Sequence, residues 1–400
     1  MSVTHDILEI GARGDGIAQE GSQRFFVPFT LPGETVEAKP GEKRGEGIAA
    51  ELVEVLAPSR HRVPPACSHF GTCGGCALQH WRLDVYAAWK SDLIVRALGR
   101  QGISVPAFEP MVQGQPGERR RADFIARGRL AGFHERASHR AFNVEQCAVL
   151  APRLVALLPL LRGVLPGDVA FDAIVNDTDS GLDLLLRPHK RIVLPIETNQ
   201  KLVAFAEAAD LARLSWGDRA SPDPIVTRRA PRLAYGEVSV EPPPGVFLQA
   251  SKRAERAMRE SVSVWLAGAK RVADLFAGIG ALTLGQAFRS GLYESDKAAV
   301  AAVAKLGAVR RDLFRNPLLA GDLKAFDGAV LDPPRAGAAA QCAELARSDL
   351  RRIVYASCDP VSFSRDAKLL LDGGYRLEKL KPIDQFLWSG HVELIALFAR

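Results

Sequence analysis

The spacing of hydrophobic positions changes along this 400-residue chain, and each change marks a different kind of structure. Over residues 1–60 the apolar runs are short, broken by Gly14-Asp15-Gly16, Gly21-Ser22, Pro32-Gly33-Glu34 and Gly41-Glu42-Lys43. Turn signals so closely set predict about five short strands; these fit a barrel of the oligonucleotide-binding kind and equally any other small β-barrel. The stretch from Ser59 to Pro65 closes that unit. Residues 61–240 form a mixed region. It opens with a cysteine-rich segment leading into a helix and holds a basic, strand-like piece from Arg119 to Arg129. Glu241-Pro242-Pro243-Pro244-Gly245 punctuates the entry to residues 241–400, where strand and helix patterns alternate. Such alternation predicts a parallel sheet covered on both faces.

Three strand ends in this last part carry chemistry: Val272 to Gly280, Ala329 to Arg335, and Arg352 to Pro360. Open α/β sheets bind ligands beyond the carboxyl ends of their strands. Cys358 lies just past its apolar run, whereas a cysteine kept only for packing more often sits inside one. Gly278 and Gly280 follow Asp274 at a strand-to-helix turn, where glycine lets the backbone bend sharply and approach a ligand. Glu294 ends the next strand-like piece and can accept hydrogen bonds from ribose hydroxyls; Asp312, after a further candidate strand, can meet an adenine amino group. Dinucleotide binding wants a third glycine in the first turn, where this chain has Ala281-Leu282-Thr283. S-adenosylmethionine carries no phosphate and needs no such cradle, so it is favoured over NAD. Near the C-terminus His391 and Glu393 are two apart and would share one face of a strand, as would polar residues of any edge strand.

Composition adds less. The hydrophobic content of 47% and charged content of 24% are ordinary for a globular protein, and the length suggests two to four domains. A net charge of +6 suits a polyanionic partner. The first residues lack the layout of a secretory signal, and the longest apolar stretch, Leu154 to Leu161, is short of a membrane span. A cytoplasmic protein with no membrane partner is expected. In that compartment its six cysteines point to metal binding or catalysis before disulfides. Cys73 and Cys76 form a C-x-x-C, which suits a zinc knuckle or a redox pair. With Cys67 and Cys147 there are four thiols, enough for a [4Fe–4S] cluster, although spacing alone leaves Cys147 unassigned. Cys342 reads as a helix-core residue. Arg119, Arg120, Arg121, Arg127, Arg129, Arg136 and Arg140, interleaved with Phe124, Phe133 and His134, suit phosphates and splayed bases, or simply a solvated basic face.

Taken together, Ser357-Cys358-Asp359-Pro360, Asp332-Pro333-Pro334-Arg335-x-Gly337, His391-Val392-Glu393 and Asp274-Leu275-Phe276-Ala277-Gly278-x-Gly280 resemble the RNA uracil-5-methyltransferases, in particular those acting on 23S ribosomal RNA. The resemblance implies a multidomain α/β chain: a TRAM-like, OB-type β-barrel over 1–60, a central α+β domain with an iron–sulfur cluster over 61–240, and a Rossmann-like class I methyltransferase domain over 241–400. It implies Cys358 as the nucleophile that adds to uracil C6, and Glu393 as the base that removes the C5 proton. Gln249, Phe276, Glu294 and Asp332 would hold S-adenosylmethionine, joining Asp274, Gly278, Gly280 and Asp312 from the strand-end reading. Cys67, Cys73, Cys76 and Cys147 would ligate the [4Fe–4S] cluster. The expected partner is 23S ribosomal RNA, and the expected state a monomer. Transfer RNA methylation in the T-loop, or a noncatalytic iron–sulfur RNA-binding factor, are the alternatives. The chain departs from the family's habit at Ser251, Ala281, Asp359 and Leu387, and is short between Glu294 and Asp332. A charge at Asp359 would disfavour a Cys358 thiolate unless it points away or is paired.

Overall fold

The computed structural model describes residues 1–105, 108–218 and 221–400. Three large sheets follow one another along the chain. Strands from Val3–Asp6 to Gly47–Ala57 form the first, with six members where about five were expected. It is antiparallel apart from the pairing of Gln23–Val27 with Gly47–Ala57. Alternation along its strands turns Ala18, Phe25, Val27, Val36 and Ala38 into one apolar cluster with Ile7.

The second sheet has seven strands, the basic stretch forming its Arg121–Arg127 member. That strand pairs with Phe171–Thr178 on one side and Leu130–His134 on the other. Helices Pro152–Leu161 and Ile196–Ala208 contribute Leu154, Leu157, Leu158, Leu202 and Phe205 to its core.

The third sheet positions the chemistry. Its spatial order is Val309–Arg310, Arg289–Glu294, Arg271–Leu275, Gly328–Leu331, Arg352–Ser357, Glu393–Ala399, Arg376–Ile383. The first five strands are parallel, and Glu393–Ala399 runs antiparallel between its two neighbours. Strand order reverses at Arg271–Leu275, so a crevice opens beside its carboxyl end. Val272, Val330, Val354 and Ile395 face one covering cluster; Leu275, Leu331, Tyr355 and Leu394 face the other. Helix Leu83–Gly99, from the mixed region, sends Ile94 and Leu98 into the second of these clusters.

One expectation fails in this domain. No helix follows Gly278 and Gly280; residues 278–288 are turns and bends leading directly to Arg289. Eight residues separate Gly280 from that strand, too few for a helix and its connection. Their carbonyls are satisfied from outside: the Arg259 guanidinium donates to those of Ala281 and Leu284. Gly285 packs so tightly on Tyr235 that an added Cβ would lie 1.9 Å from its carbonyl oxygen.

Candidate active site

Cys358 and Glu393 are brought together by sheet register. Ser357 pairs with Leu394 across antiparallel strands, so the next step sets Cys358 against Glu393. Ser357 and Glu393 are buried, while the Cys358 thiol keeps partial exposure at the end of its strand. Asp359 then starts helix Pro360–Asp372 as its N-cap: Oδ1 accepts hydrogen bonds from the Val361 and Ser362 amides, each 2.9 Å away. The charge at this unusual position is thus paired with a helix N-terminus, though it still adds a little to the rise of the neighbouring thiol.

The thiol itself is strongly disfavoured as an anion. Burial pushes it up to about 12, aided by the charges of Glu393 and Asp332, with Arg335 opposing. Burial and the Asp332 charge also raise Glu393, while the Gln385 amide lowers it. Asp332 is raised for the matching reasons, burial and Glu294. Asp332, Cys358 and Glu393 crowd the site, and each is pushed toward its neutral form.

Between the two carboxylates runs a chain of amides. Gln249 Nε2 donates to Asp332 Oδ2 at 2.9 Å, and Gln249 Oε1 accepts from Gln385 Nε2 at 2.9 Å. Gln385 Nε2 also donates to Glu393 Oε2 at 2.6 Å. Behind Gln249, Arg120 Nε holds the Gln249 carbonyl at 3.0 Å and Arg120 Nη2 pairs with Glu255 at 2.5 Å. Ser251, another departure, caps helix Lys252–Trp265 by accepting from the Arg253 and Ala254 amides.

The crevice beside the reversal of strand order is built from the strand ends of Arg271–Leu275 and Arg289–Glu294. Phe276 takes a left-handed φ of 62°, a costly conformation for a non-glycine residue, and its ring meets Phe314 with centroids 5.3 Å apart. Glu294 Oε2 accepts from the Gly278 amide at 2.9 Å and Oε1 from the Ser295 and Asp296 amides, fixing the carboxylate at the strand end. Gly278 and Gly280 have φ of 55° and 80°, which suits glycine. Asp274 is buried and accepts from Thr283 Oγ at 2.5 Å, so it braces the turn; burial raises it to about 7. Asp312 Oδ1 accepts from the Phe314 amide at 3.0 Å, holding the loop that presents Phe314.

Other expected residues lie elsewhere than sequence suggested. His391 precedes the last strand and is exposed, bonded to Arg335 at 3.0 Å, so it does not share a strand face with Glu393. The arginine-rich stretch is not one basic face. Arg120 is buried against Glu255, Phe124 is core, Arg136 joins Asp15 in the turn before strand Gly16–Glu20, and Arg140 pairs with Glu135. Arg119 and Arg121 line the cavity over the rings of Phe386 and Phe247, Arg121 also pairing with Asp123 at 3.2 Å.

That cavity, about 400 Å³, runs from Arg335, Phe386 and His391 to Cys67, Cys73, Cys76 and Cys147. Among the described residues no three His, Cys, Asp or Glu side chains are grouped to hold a single metal ion. The four thiols nevertheless line one wall and feel one another's charge. Burial raises Cys73, Cys76 and Cys147, Cys76 to about 12. As bare thiolates they are unfavourable.

The sequence profile described as tRNA (Uracil-5-)-methyltransferase matches residues 308–400, which contain both Cys358 and Glu393. An uncharacterized RNA methyltransferase of Brucella suis is 42% identical, the match covering 98% of this chain and 97% of that protein. The chain belongs to the RNA uracil-5-methyltransferase family. Within it, the 23S rRNA (uracil(1939)-C(5))-methyltransferase of Aeromonas hydrophila is 32% identical over 96% of this chain and 93% of that protein. The fold of the tRNA (uracil-54, C5)-methyltransferase of Pyrococcus abyssi, solved with S-adenosyl-L-homocysteine, matches 99% of both chains at a TM-score of 0.75 and 22% identity. This uracil-5-methyltransferase is therefore an enzyme with the fold of that structure along its whole length. No helix among its described residues is long and apolar enough to cross a membrane.

Sequence reasoning missed Gln385, Arg120 as a support for Gln249, and the Lys90–Asp384 pair. Gln385 stands eight residues before Glu393 in a loop, and no periodicity links them; only the fold does.

Proposed function

We propose that this enzyme methylates C5 of a uridine in 23S ribosomal RNA through a covalent adduct between Cys358 and uracil C6. The observation that carries the reading is the register that sets Cys358 against Glu393 at the mouth of a crevice built from Gln249, Phe276, Glu294 and Asp332. Uracil C5 is a weak nucleophile. Once the Cys358 thiol has lost its proton to solvent, addition of the thiolate to C6 places electron density on C5 and the C4 oxygen, and C5 becomes able to take a methyl group. S-adenosylmethionine, when bound, supplies that methyl group as an electrophile on a sulfonium. Glu393, ionised, then takes the C5 proton, and the Cys358–C6 bond breaks to restore the ring.

The crevice fits the donor. Glu294 stands where ribose hydroxyls would reach a carboxylate, and Phe276 with Phe314 offers aromatic faces for adenine; Asp332 and Gln249 close the side toward the nucleophile. Asp274, Gly278 and Gly280 shape the turn, and Asp312 holds the Phe314 loop. Cys67, Cys73, Cys76 and Cys147 would hold a [4Fe–4S] cluster, whose part is structural because methyl transfer moves no net electron. Arg119 and Arg121, in the cavity, are the arginines best placed to meet RNA. A flipped pyrimidine is reached most easily in a single-stranded loop.

Full-length likeness to a 23S enzyme supports ribosomal RNA, while the Pyrococcus fold match keeps the T-loop of transfer RNA as the second reading. Mapping 5-methyluridine by mass in both RNAs from a deletion strain, with and without the wild-type chain, separates them. Cys358→Ser should fail to complement and should form no adduct with 5-fluorouridine RNA. Retained methylation in that variant would end the covalent reading.

A further inference from the structure

Glu393 is buried, with Asp332 and Cys358 as the titratable groups facing it. Arg335 and His391 are bonded to each other at the mouth. A carboxylate so placed tends to stay protonated, yet a base must be ionised when the C5 proton leaves. Its hydrogen-bond partner is Gln385, at 2.6 Å. The orientation of that amide is fixed by the backbone. The Ala250 N–H points at Gln385 Oε1, 2.9 Å away, so this end must be the oxygen. The NH2 end is thereby turned to Glu393 Oε2 and to Gln249 Oε1, and both its hydrogens have acceptors. A flipped amide would set oxygen against carboxylate and N–H against N–H, so the arrangement cannot invert without losing three hydrogen bonds.

We propose that Gln385 is a positioning residue that holds the Glu393 carboxylate ionised and aimed at the reacting carbon, and ties it through Gln249 to the methyl-donor crevice. The proposal rests on the reading of Glu393 as base. The Gln249 amide donates to Asp332 in the same way that Gln385 donates to Glu393. The two glutamines therefore direct N–H groups at both carboxylates, and a shift at the donor end of the chain moves the donor hydrogen of the base. Further support comes from Arg120, which fixes the Gln249 carbonyl.

The test separates adduct formation from proton removal. Wild type, Gln385→Met, Gln385→Glu and Glu393→Gln are given saturating S-adenosylmethionine and a 23S rRNA transcript carrying [5-³H]uridine, and tritium release is followed across about pH 6 to 9. Adduct formation is followed in parallel with the 5-fluorouridine transcript, which needs no base. In Gln385→Met the adduct should form at close to the wild-type rate. The acid limb of tritium release should move up by about one to two pH units, the weight of one hydrogen bond to a charged group. Gln385→Glu keeps the acceptor for Ala250 and the side-chain length, and should move the limb further upward; it carries the test if the methionine variant forms no adduct. An unmoved limb, with release lowered equally at every pH, would overturn the proposal. If Glu393→Gln releases tritium as fast as wild type, the base reading itself fails. If that variant stalls while both Gln385 variants keep the wild-type profile, only the positioning role fails.

Discussion

The ammonium of Lys90 lies 2.5 Å from Asp384 Oδ1 and 3.0 Å from the Phe386 carbonyl, and both charged side chains are fully buried. Lys90 belongs to helix Leu83–Gly99, and Asp384 and Phe386 flank Gln385. The pair fastens the mixed region to the loop that precedes Glu393. The same loop packs elsewhere too: the Trp388 carbonyl accepts from the Ala77 and Leu78 amides, just after Cys76. A Cβ at Gly390 would come within 2.6 Å of the Ala12 carbonyl oxygen in the first sheet.

Removing one member of such a pair leaves a buried charge alone. Lys90→Met should lower unfolding free energy by about 3–5 kcal/mol, and the double change with Asp384→Asn should recover part of it. Asp384 Oδ2 already lacks a partner, so the lysine is its main compensation. Urea unfolding of the two variants measures this directly.

The Cys358 thiol should alkylate slowly in the free enzyme and speed up with pH, about tenfold per unit below its pKa. Its raised pKa comes from burial and then from Glu393. Glu393, itself pushed up to about 8, bears that charge only in alkali, so Glu393→Gln should increase iodoacetamide labelling of Cys358 at about pH 9 while abolishing turnover. Peptide mapping distinguishes Cys358 from the other five cysteines.

Asp359 can be separated into cap and charge. Asp359→Asn keeps a good N-cap and should change stability by only a few tenths of a kcal/mol, whereas Asp359→Ala should lose about 0.5–2 kcal/mol. Both remove a charge that raises the thiol pKa, so both should quicken Cys358 labelling modestly. Thermal unfolding with the same mapping reads the two effects apart.

Asp274 links pH to stability. Burial raises its folded pKa to about 7, above the usual carboxylate value. The folded state thus holds the proton more tightly than the unfolded chain. This contribution is complete below about pH 4 and is lost as pH rises through about 7. Asp274→Asn, which keeps an acceptor for Thr283, should flatten that fall relative to wild type in urea titrations at several pH values.

Much of the site was legible because local sequence dictates strand ends. Apolar runs ending at Leu275, Leu331 and Ser357 placed Asp332, Cys358 and the Gly278–Gly280 turn on one edge of a parallel sheet, which is where they lie. That no helix follows Gly280 was not legible, because Arg259 and Tyr235, remote in sequence, decide how that segment satisfies its backbone. The arginine stretch misled for a related reason. Charge density along a chain does not reveal which guanidinium meets Glu255 in the interior and which meets solvent.

By itself the sequence determined the candidate reacting groups, since a thiol, a carboxylate and a glycine turn have their chemistry wherever they stand. Only the tertiary structure decided that Cys358 faces Glu393, that Asp359 turns its charge into a helix end, and that Gln385 bridges Glu393 to Gln249. Those relations depend on strand register and on hydrogen bonds spanning more than a hundred residues, and no local pattern encodes a contact between segments that meet only when the chain has folded.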